Sequence, residues 1–281
     1  MIVAATGCTR VVDLDLTEGP VRLVVEGRLE RIKSDVLGHQ SIRLSTTDAF
    51  AHAGLPPAAV GAKVTITDSS GRVETFSSLA PGLYETSAFF PVIGMRYTLD
   101  IEYQGEHYRA TDRLLPVAPI DSLYFKFMEK APGVEHAGLR AVVDYTDPPG
   151  LGNDYLWELV VDDSLRISPD PGNRFRIISE DRFYDGGRVV GYQPFDEEVV
   201  RPGQRVLMRQ VGISEQAFRY YSAIFAQSNG TGSPFSVPPA SVRGNVANVD
   251  DGTHYPLGYF LAAEVSEKLA TVPAVTSAER R

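Results

Sequence analysis

Cysteine is nearly absent: one thiol, Cys8, stands in 281 residues. No intramolecular disulfide can form, which excludes a disulfide-stapled scaffold. No stretch approaches the roughly 18 uninterrupted apolar residues of a membrane-spanning helix. Lys and Arg never collect into a block, and the formal charge is −9. Residues 1–116 carry 11 basic and 14 acidic side chains, residues 117–281 carry 16 and 22, so both halves are acidic. That balance speaks against nucleic acid as a partner and against electrostatic attachment to anionic lipid.

The signatures of common chemistries are missing as well. The five histidines, His39, His52, His107, His136 and His254, are scattered and form no HExxH or i, i+4 pair, so no zinc site is expected. Gly212-Ile213-Ser214-Glu215-Gln216 comes nearest to a nucleophile elbow, but it ends in Gln and reads better as a helix start. No glycine-rich loop is placed to cradle phosphate. Acidic pairs at Asp162/Asp163, Glu180/Asp181, Asp196 to Glu198 and Asp250/Asp251 offer the oxygen ligands that calcium takes. None has EF-hand spacing, and acidic loops are commonly just solvated. Carboxylate pairs for glycoside hydrolysis form only in three dimensions, and nothing in the sequence favours them.

What is present is material for β-structure. With 43% hydrophobic and 10% aromatic residues the chain can build real cores, and its length suggests two domains. Val21–Gly27 is a continuous apolar run, as expected of a strand covered on both faces. Ser41–Ser45 and Ala62–Asp68 alternate, and Asp68-Ser69-Ser70-Gly71 makes a turn. Arg96–Tyr103 and His107–Leu114 flank Gln104-Gly105-Glu106, a hairpin signal. Short strands at this spacing predict a sandwich over 21–116. Within it, Leu79–Thr86 resembles the Pro-Gly turn and Tyr strand of transthyretin-like sandwiches, an analogy of fold and not of function.

Pro116 and Pro119 mark an extended connection and a boundary. Strands then follow at Leu123–Phe127, Leu139–Asp147, Tyr155–Asp163 and Arg205–Ile213. Apolar residues at 213, 217, 220, 221, 224 and 225 fall at a helical period and predict one amphipathic helix at about 214–227. Ser214 is its N-cap, Ile213 and Phe218 have staple spacing, and Asn229-Gly230 ends it. The second domain is thus a β-rich unit with one helix over 117–272, followed by a loose tail at 273–281. Its loops are polar and aromatic. Asp147-Pro148-Pro149-Gly150 with Asn153 and Tyr155 forms a rigid turn; Phe175, Phe183 and Tyr184, with Arg174, Arg176 and Arg182, lie near Asp185-Gly186-Gly187. Arg and Tyr commonly anchor interfaces. The plainer reading has the aromatics filling a core and the arginines solvating its edges.

Cys8 follows the small residues Ala4, Ala5, Thr6 and Gly7, like the end of a bacterial lipoprotein signal. Ala5 stands where a bulky aliphatic is more usual, and seven residues are too few for a whole signal. Residues 1–7 are therefore read as its residual end, and 8–20 as a tether reaching roughly 40 Å at most. Several acyl chains would hold such a protein stably on a bilayer.

Taken in order, Asp13-Leu14-Asp15 with Val21–Gly27, Ala62–Gly71, Pro119–Phe125, Tyr145–Tyr155, the helix, Asn229–Val246 and Leu257–Lys268 resemble the domain-of-unknown-function 4249 family of Bacteroidota, from about Cys8 to about Val272. The resemblance implies an exported lipoprotein acylated on Cys8, with no cofactor besides that lipid, often encoded beside TonB-dependent outer-membrane receptors. The expected role is a non-enzymatic accessory or binding subunit of such a barrel, contacting it through loop residues Asp147, Asn153, Tyr155, Arg182, Tyr184 and Asp185. An envelope glycan or peptide hydrolase, and a free-standing adhesin or glycan-binding module, remain as alternatives.

Overall fold

The computed structural model describes residues 19–48, 54–131, 136–166, 177–228 and 241–274. Cys8, most of the tether, Arg174, Phe175, Arg176, Asn229-Gly230 and the end of the tail lie outside these residues, as does the side chain of Phe183.

The first seven strands are β1 (Leu23–Ile32), β2 (Gln40–Thr46), β3 (Lys63–Asp68), β4 (Val73–Ala80), β5 (Leu83–Thr86), β6 (Arg96–Tyr103) and β7 (Glu106–Arg113). Between β6 and β7 only Gln104 and Gly105 are unpaired, at φ 51° and 82°. Two left-handed residues in a two-residue loop suit the twist of a hairpin. β4 pairs with β3 through Phe76 and with β5 from Ser77, with a register shift after Ser78, so it passes from one layer to the other. Val64, Ile66, Leu99 and Ile101 on one layer meet Val25, Leu29, Ile42 and Leu44 on the other, all buried, and the result is a sandwich.

Next come β8 (Ile120–Met128), β9 (Gly138–Thr146), β10 (Asp154–Val161), β11 (Ser164–Arg166), β12 (Ile178–Ser179), β13 (Arg188–Tyr192) and β14 (Arg205–Ile213). The helix α1 (Glu215–Ser228) and strands β15 (Ala247–Asn248) and β16 (Leu257–Thr271) complete the chain. A three-stranded sheet, β13-β9-β8, lies against the face of β10 that carries Trp157. The Trp157 ring stands 5.4 Å from Tyr145 and 5.5 Å from Tyr192, centroid to centroid.

The last strand ties the two units together. Leu257–Val265 of β16 runs parallel to β1, and Val265–Thr271 runs antiparallel to β14, so one sheet passes from β11 through β16 and β1 into the first sandwich. β15 pairs with β7, and Val246, Phe260 and Ala262 lie in the first core. The predicted boundary at 116/117 thus divides β1–β7 from β8–β14, but residues after the helix return to the first unit. Even the connection is docked along β16: Val117 N–H donates to Glu264 Oε2 at 2.9 Å and Ile120 N–H to Ser266 Oγ at 3.0 Å.

Burial corrects one expectation. β1 alternates between buried and outward residues, with Val25 buried and Glu26 exposed, because part of one face looks to solvent. Continuous cover on both faces belongs to the first two-thirds of β16, from Tyr259 to Ser266. The helix lies where its period predicts. Ser214 Oγ accepts the Ala217 N–H at 3.2 Å as N-cap, Ala217 is buried, and Tyr220 stacks 4.8 Å from Tyr259 of β16. On the sheet face beneath α1, Arg209 is gripped by Glu158 at 2.5 Å, Glu30 at 2.5 Å and Glu267 at 2.7 Å, and Glu158 also holds Arg28. Four strands, β1, β10, β14 and β16, meet in this ionic cluster.

Candidate functional site

Two loops meet beside the start of β10. The first joins β9 to β10 (147–153). The second leads from β12 through a short 3₁₀ turn, Asp181–Phe183, to β13. Pro148 and Pro149 stiffen the first loop, and Gly150 and Gly152 take φ 115° and 104°, values open to glycine.

Asp147, at the end of β9, is buried. Its Oδ1 accepts the Tyr155 hydroxyl at 2.6 Å and its Oδ2 the Gly186 N–H at 3.2 Å. Asn153 binds three acceptors through its side-chain amide: Gly150 O at 2.5 Å, Asp181 Oδ2 at 3.2 Å and Pro148 O at 3.3 Å. Its backbone N–H reaches the same Asp181 oxygen at 3.1 Å. Asp185 Oδ1 accepts the Gly150 N–H at 2.6 Å, closing the second loop onto the first. Tyr184 donates its N–H to the Asp181 carbonyl at 2.8 Å and sets its ring edge-on to Tyr145, with centroids 6.3 Å apart.

Of the residues predicted to form a contact loop, Asp147, Asn153, Tyr155, Tyr184 and Asp185 come together here. Arg182 does not join them: it is exposed and pairs with Glu180 at 3.0 Å. Asp181, legible in the sequence only as half of an acidic pair, is the hub. Asp154 was missed altogether. Its one sequence signal is an acid opening an otherwise apolar strand, Asp154–Val161.

The site is strongly acidic. One carboxylate oxygen from each of Asp147, Asp181 and Asp185 lies within 4.8 Å of the other two. Burial holds the Asp147 carboxyl above the usual carboxylate range, against the pull of its Tyr155 and Gly186 hydrogen bonds, while Asp181 and Asp185 add repulsion. Asp154 is 8% exposed, and burial first, then Asp181, Glu180 and Glu215, push it up to about 6. Burial and the Asp147 carboxylate raise the Tyr155 hydroxyl far above its ordinary value. The five described cavities, the largest about 930 Å³, are lined by none of Asp147, Asp154, Asp181 and Asp185. Among the described residues no serine or threonine hydroxyl bonds a histidine, and no helix is long and apolar enough to cross a membrane.

The family described as "Domain of unknown function (DUF4249)" matches over residues 9–269. No curated protein matches the sequence. Among solved structures, the adhesin InvE of Yersinia pseudotuberculosis is similar at 14% identity with a TM-score of 0.21. That match covers 68% of this chain and 55% of the adhesin.

Proposed function

Since the chain belongs to the domain-of-unknown-function 4249 family, we propose that it is a lipid-anchored, non-enzymatic subunit that binds a TonB-dependent barrel protein at the outer membrane. Cys8 carries the anchor, and the loops at 147–153 and 180–187 carry the recognition. The observation that supports this reading is the preorganised loop pair. The buried side chains of Asp147, Tyr155 and Asp181 are hydrogen-bonded beneath the two loops and hold their exposed residues, Asp185 among them, in place, and loops held on a rigid scaffold are where binding residues concentrate. A site pre-ordered in this way spends less conformational entropy on a partner.

The test is to extract the native protein from membranes, isolate it, and identify both the mass of its Cys8 peptide and whatever accompanies it. An acylated Cys8 with a stoichiometric barrel protein supports the reading. A bare Cys8, or recovery of the protein alone at native levels, overturns it.

A further inference from the structure

One end of the first sandwich carries apolar side chains that no other described residue covers. The loop after β1 (33–39) and the segment after β5 (87–95) lie side by side there. Backbone hydrogen bonds join them, from Ala88 N–H to Leu37 O and from Phe89 N–H to Gly38 O, each 3.0 Å. Asp35 organises the first loop: its Oδ1 accepts the Leu37 N–H at 2.8 Å and its Oδ2 the Gly38 N–H at 3.0 Å. The side chains of Val36 and Leu37 are left 83% and 72% exposed. Gly38 has φ 60°, and a Cβ on it would meet the Phe89 backbone and the Phe90 ring at 2.9 Å, so glycine lets the two segments close up. In the second segment the Met95 N–H bonds Val92 O at 3.2 Å, across a turn whose third residue, Gly94, takes φ 85° and which sets Ile93 at its crest. Arg31 Nη1 donates to Pro91 O at 3.0 Å and props this segment from beneath. Phe90, Val92 and Ile93 are exposed alongside Val36 and Leu37. Exposed apolar residues scattered singly are ordinary, whereas five large ones on two hydrogen-bonded loops mark a contact surface.

The rim of this tip is basic. Arg96 and Arg113 stand directly opposite each other on β6 and β7, and both are exposed. Arg113 Nε donates to Gly94 O at 3.1 Å, which sets its guanidinium against the loop. Among the described residues neither arginine pairs with a carboxylate, and like charges placed opposite each other across strands are unfavourable on their own. The acids nearby are committed: Asp35 to its own loop, and Glu264 to Lys33 at 2.9 Å with Arg31 at 3.8 Å. Two neighbouring guanidinium groups without carboxylates suit a phosphate, which each can grip through two N–H groups. From the juxtaposition of these arginines with five protruding apolar side chains, we infer that this end of the sandwich docks on the surface of a phospholipid bilayer. Val36, Leu37, Phe90, Val92 and Ile93 enter the boundary between headgroups and acyl chains, and Arg96 and Arg113 take lipid phosphate. The chain's formal charge of −9 gives no long-range attraction to anionic lipid. The contact is apolar insertion with a local phosphate grip, which zwitterionic phospholipid supplies as well. It does not depend on Cys8. Beside an acyl anchor it is a second membrane signal, and it fixes which end of the first sandwich turns to the bilayer.

The test floats the full chain carrying Cys8→Ser, so that no acyl chain contributes, with vesicles of phosphatidylethanolamine and phosphatidylglycerol. A parallel set replaces phosphatidylglycerol by phosphatidylcholine. Binding to both is expected, on the order of the 10⁴ M⁻¹ of a single myristoyl chain. On that background Leu37→Trp, read against the buried Trp157, should shift its emission to the blue with vesicles and be quenched by brominated acyl chains. Leu37→Asp with Ile93→Asp, both at exposed positions, lowers binding by about tenfold or more. Arg96→Gln with Arg113→Gln lowers it several-fold. Leu55→Asp, exposed where Pro57 meets Thr46 at the other end of the sandwich, leaves it unchanged. No flotation at millimolar lipid overturns the inference, and so does equal flotation with and without the two aspartates. A dimer that those aspartates dissociate, with no vesicle binding, also overturns it and assigns the tip to a second copy. None of these failures touches the anchor or the barrel partner, whose own test is the pull-down.

Discussion

Asp181 Oδ2 accepts two hydrogen bonds from Asn153, from the backbone N–H at 3.1 Å and from the side-chain amide at 3.2 Å. Asn153 also clamps two carbonyls of its own loop, so one side chain fixes both loops of the site. Asn153→Ala removes three acceptor contacts. It is expected to cost about 1–2 kcal/mol, read from urea unfolding, and to speed amide exchange at Gly150 and Gly186. Unchanged exchange there would show that the loops are held by other means.

Arg209 is the keystone beneath the helix, with side-chain exposure of 14% and contacts to Glu158, Glu30 and Glu267. Arg209→Ala leaves Glu30 and Glu158 with Arg28 as their one remaining cation in the cluster. Breaking a buried ion pair from one side typically costs about 3–5 kcal/mol, and guanidinium unfolding should report a loss of that order. Arg209→Met with Glu158→Leu, which removes charge from both sides, should recover part of it.

Gly258 sits where β16 meets β1, at φ 91°, and a Cβ there would lie 2.0 Å from the Val25 carbonyl oxygen. Left-handed strain alone costs on the order of 1–3 kcal/mol, and the clash falls on backbone that cannot swing away. Gly258→Ala should lower the thermal midpoint sharply, or give insoluble protein. Gly252→Ala, with open space around it, should behave as wild type.

His254 is the pH-sensitive clasp where the chain enters β1. Its Nε2 lies 3.0 Å from the Val21 carbonyl and its Nδ1 2.8 Å from Glu106 Oε2. Both neighbours accept, so only the doubly protonated ring satisfies both. The Val21 carbonyl first and Glu106 second raise its pKa above 6.5, with Arg22 opposing. A folded-state pKa above the unfolded one gives stability that is complete below pH 6.5 and fades as pH rises through the folded value. The stability difference between wild type and His254→Ala should therefore be largest at acid pH and shrink above neutrality. A difference that is flat, or that grows with pH, contradicts the clasp.

Much of the fold was legible because its strands are short and local. The β6–β7 hairpin is written in Gln104-Gly105, and Val64 and Ile66 alternate as a half-buried strand should. The helix is announced by Ser214 and its apolar period. What escaped was long-range. Nothing local in Leu257–Thr271 says that half of it pairs with β1 and half with β14, since pairing partners distant in sequence leave no mark on periodicity. The loop site was half legible for the same reason. The Asp147 segment reads as a rigid turn and Asp185-Gly186-Gly187 as a turn, but their union depends on Asp181 and Asn153 meeting across 28 positions of sequence. Arg182, grouped with them by proximity in the chain, points elsewhere because the 3₁₀ turn directs neighbouring side chains apart.

Whether these loops recognise a barrel partner for a lipid-anchored subunit is decided by quantitative co-purification from native membranes. Wild type is compared with Asp185→Lys, a charge reversal at the exposed rim of the site. A stoichiometric outer-membrane barrel is expected with wild type and a several-fold loss with the variant, at equal amounts of acylated protein. Equal recovery of the barrel with both, or no barrel with either, would contradict it.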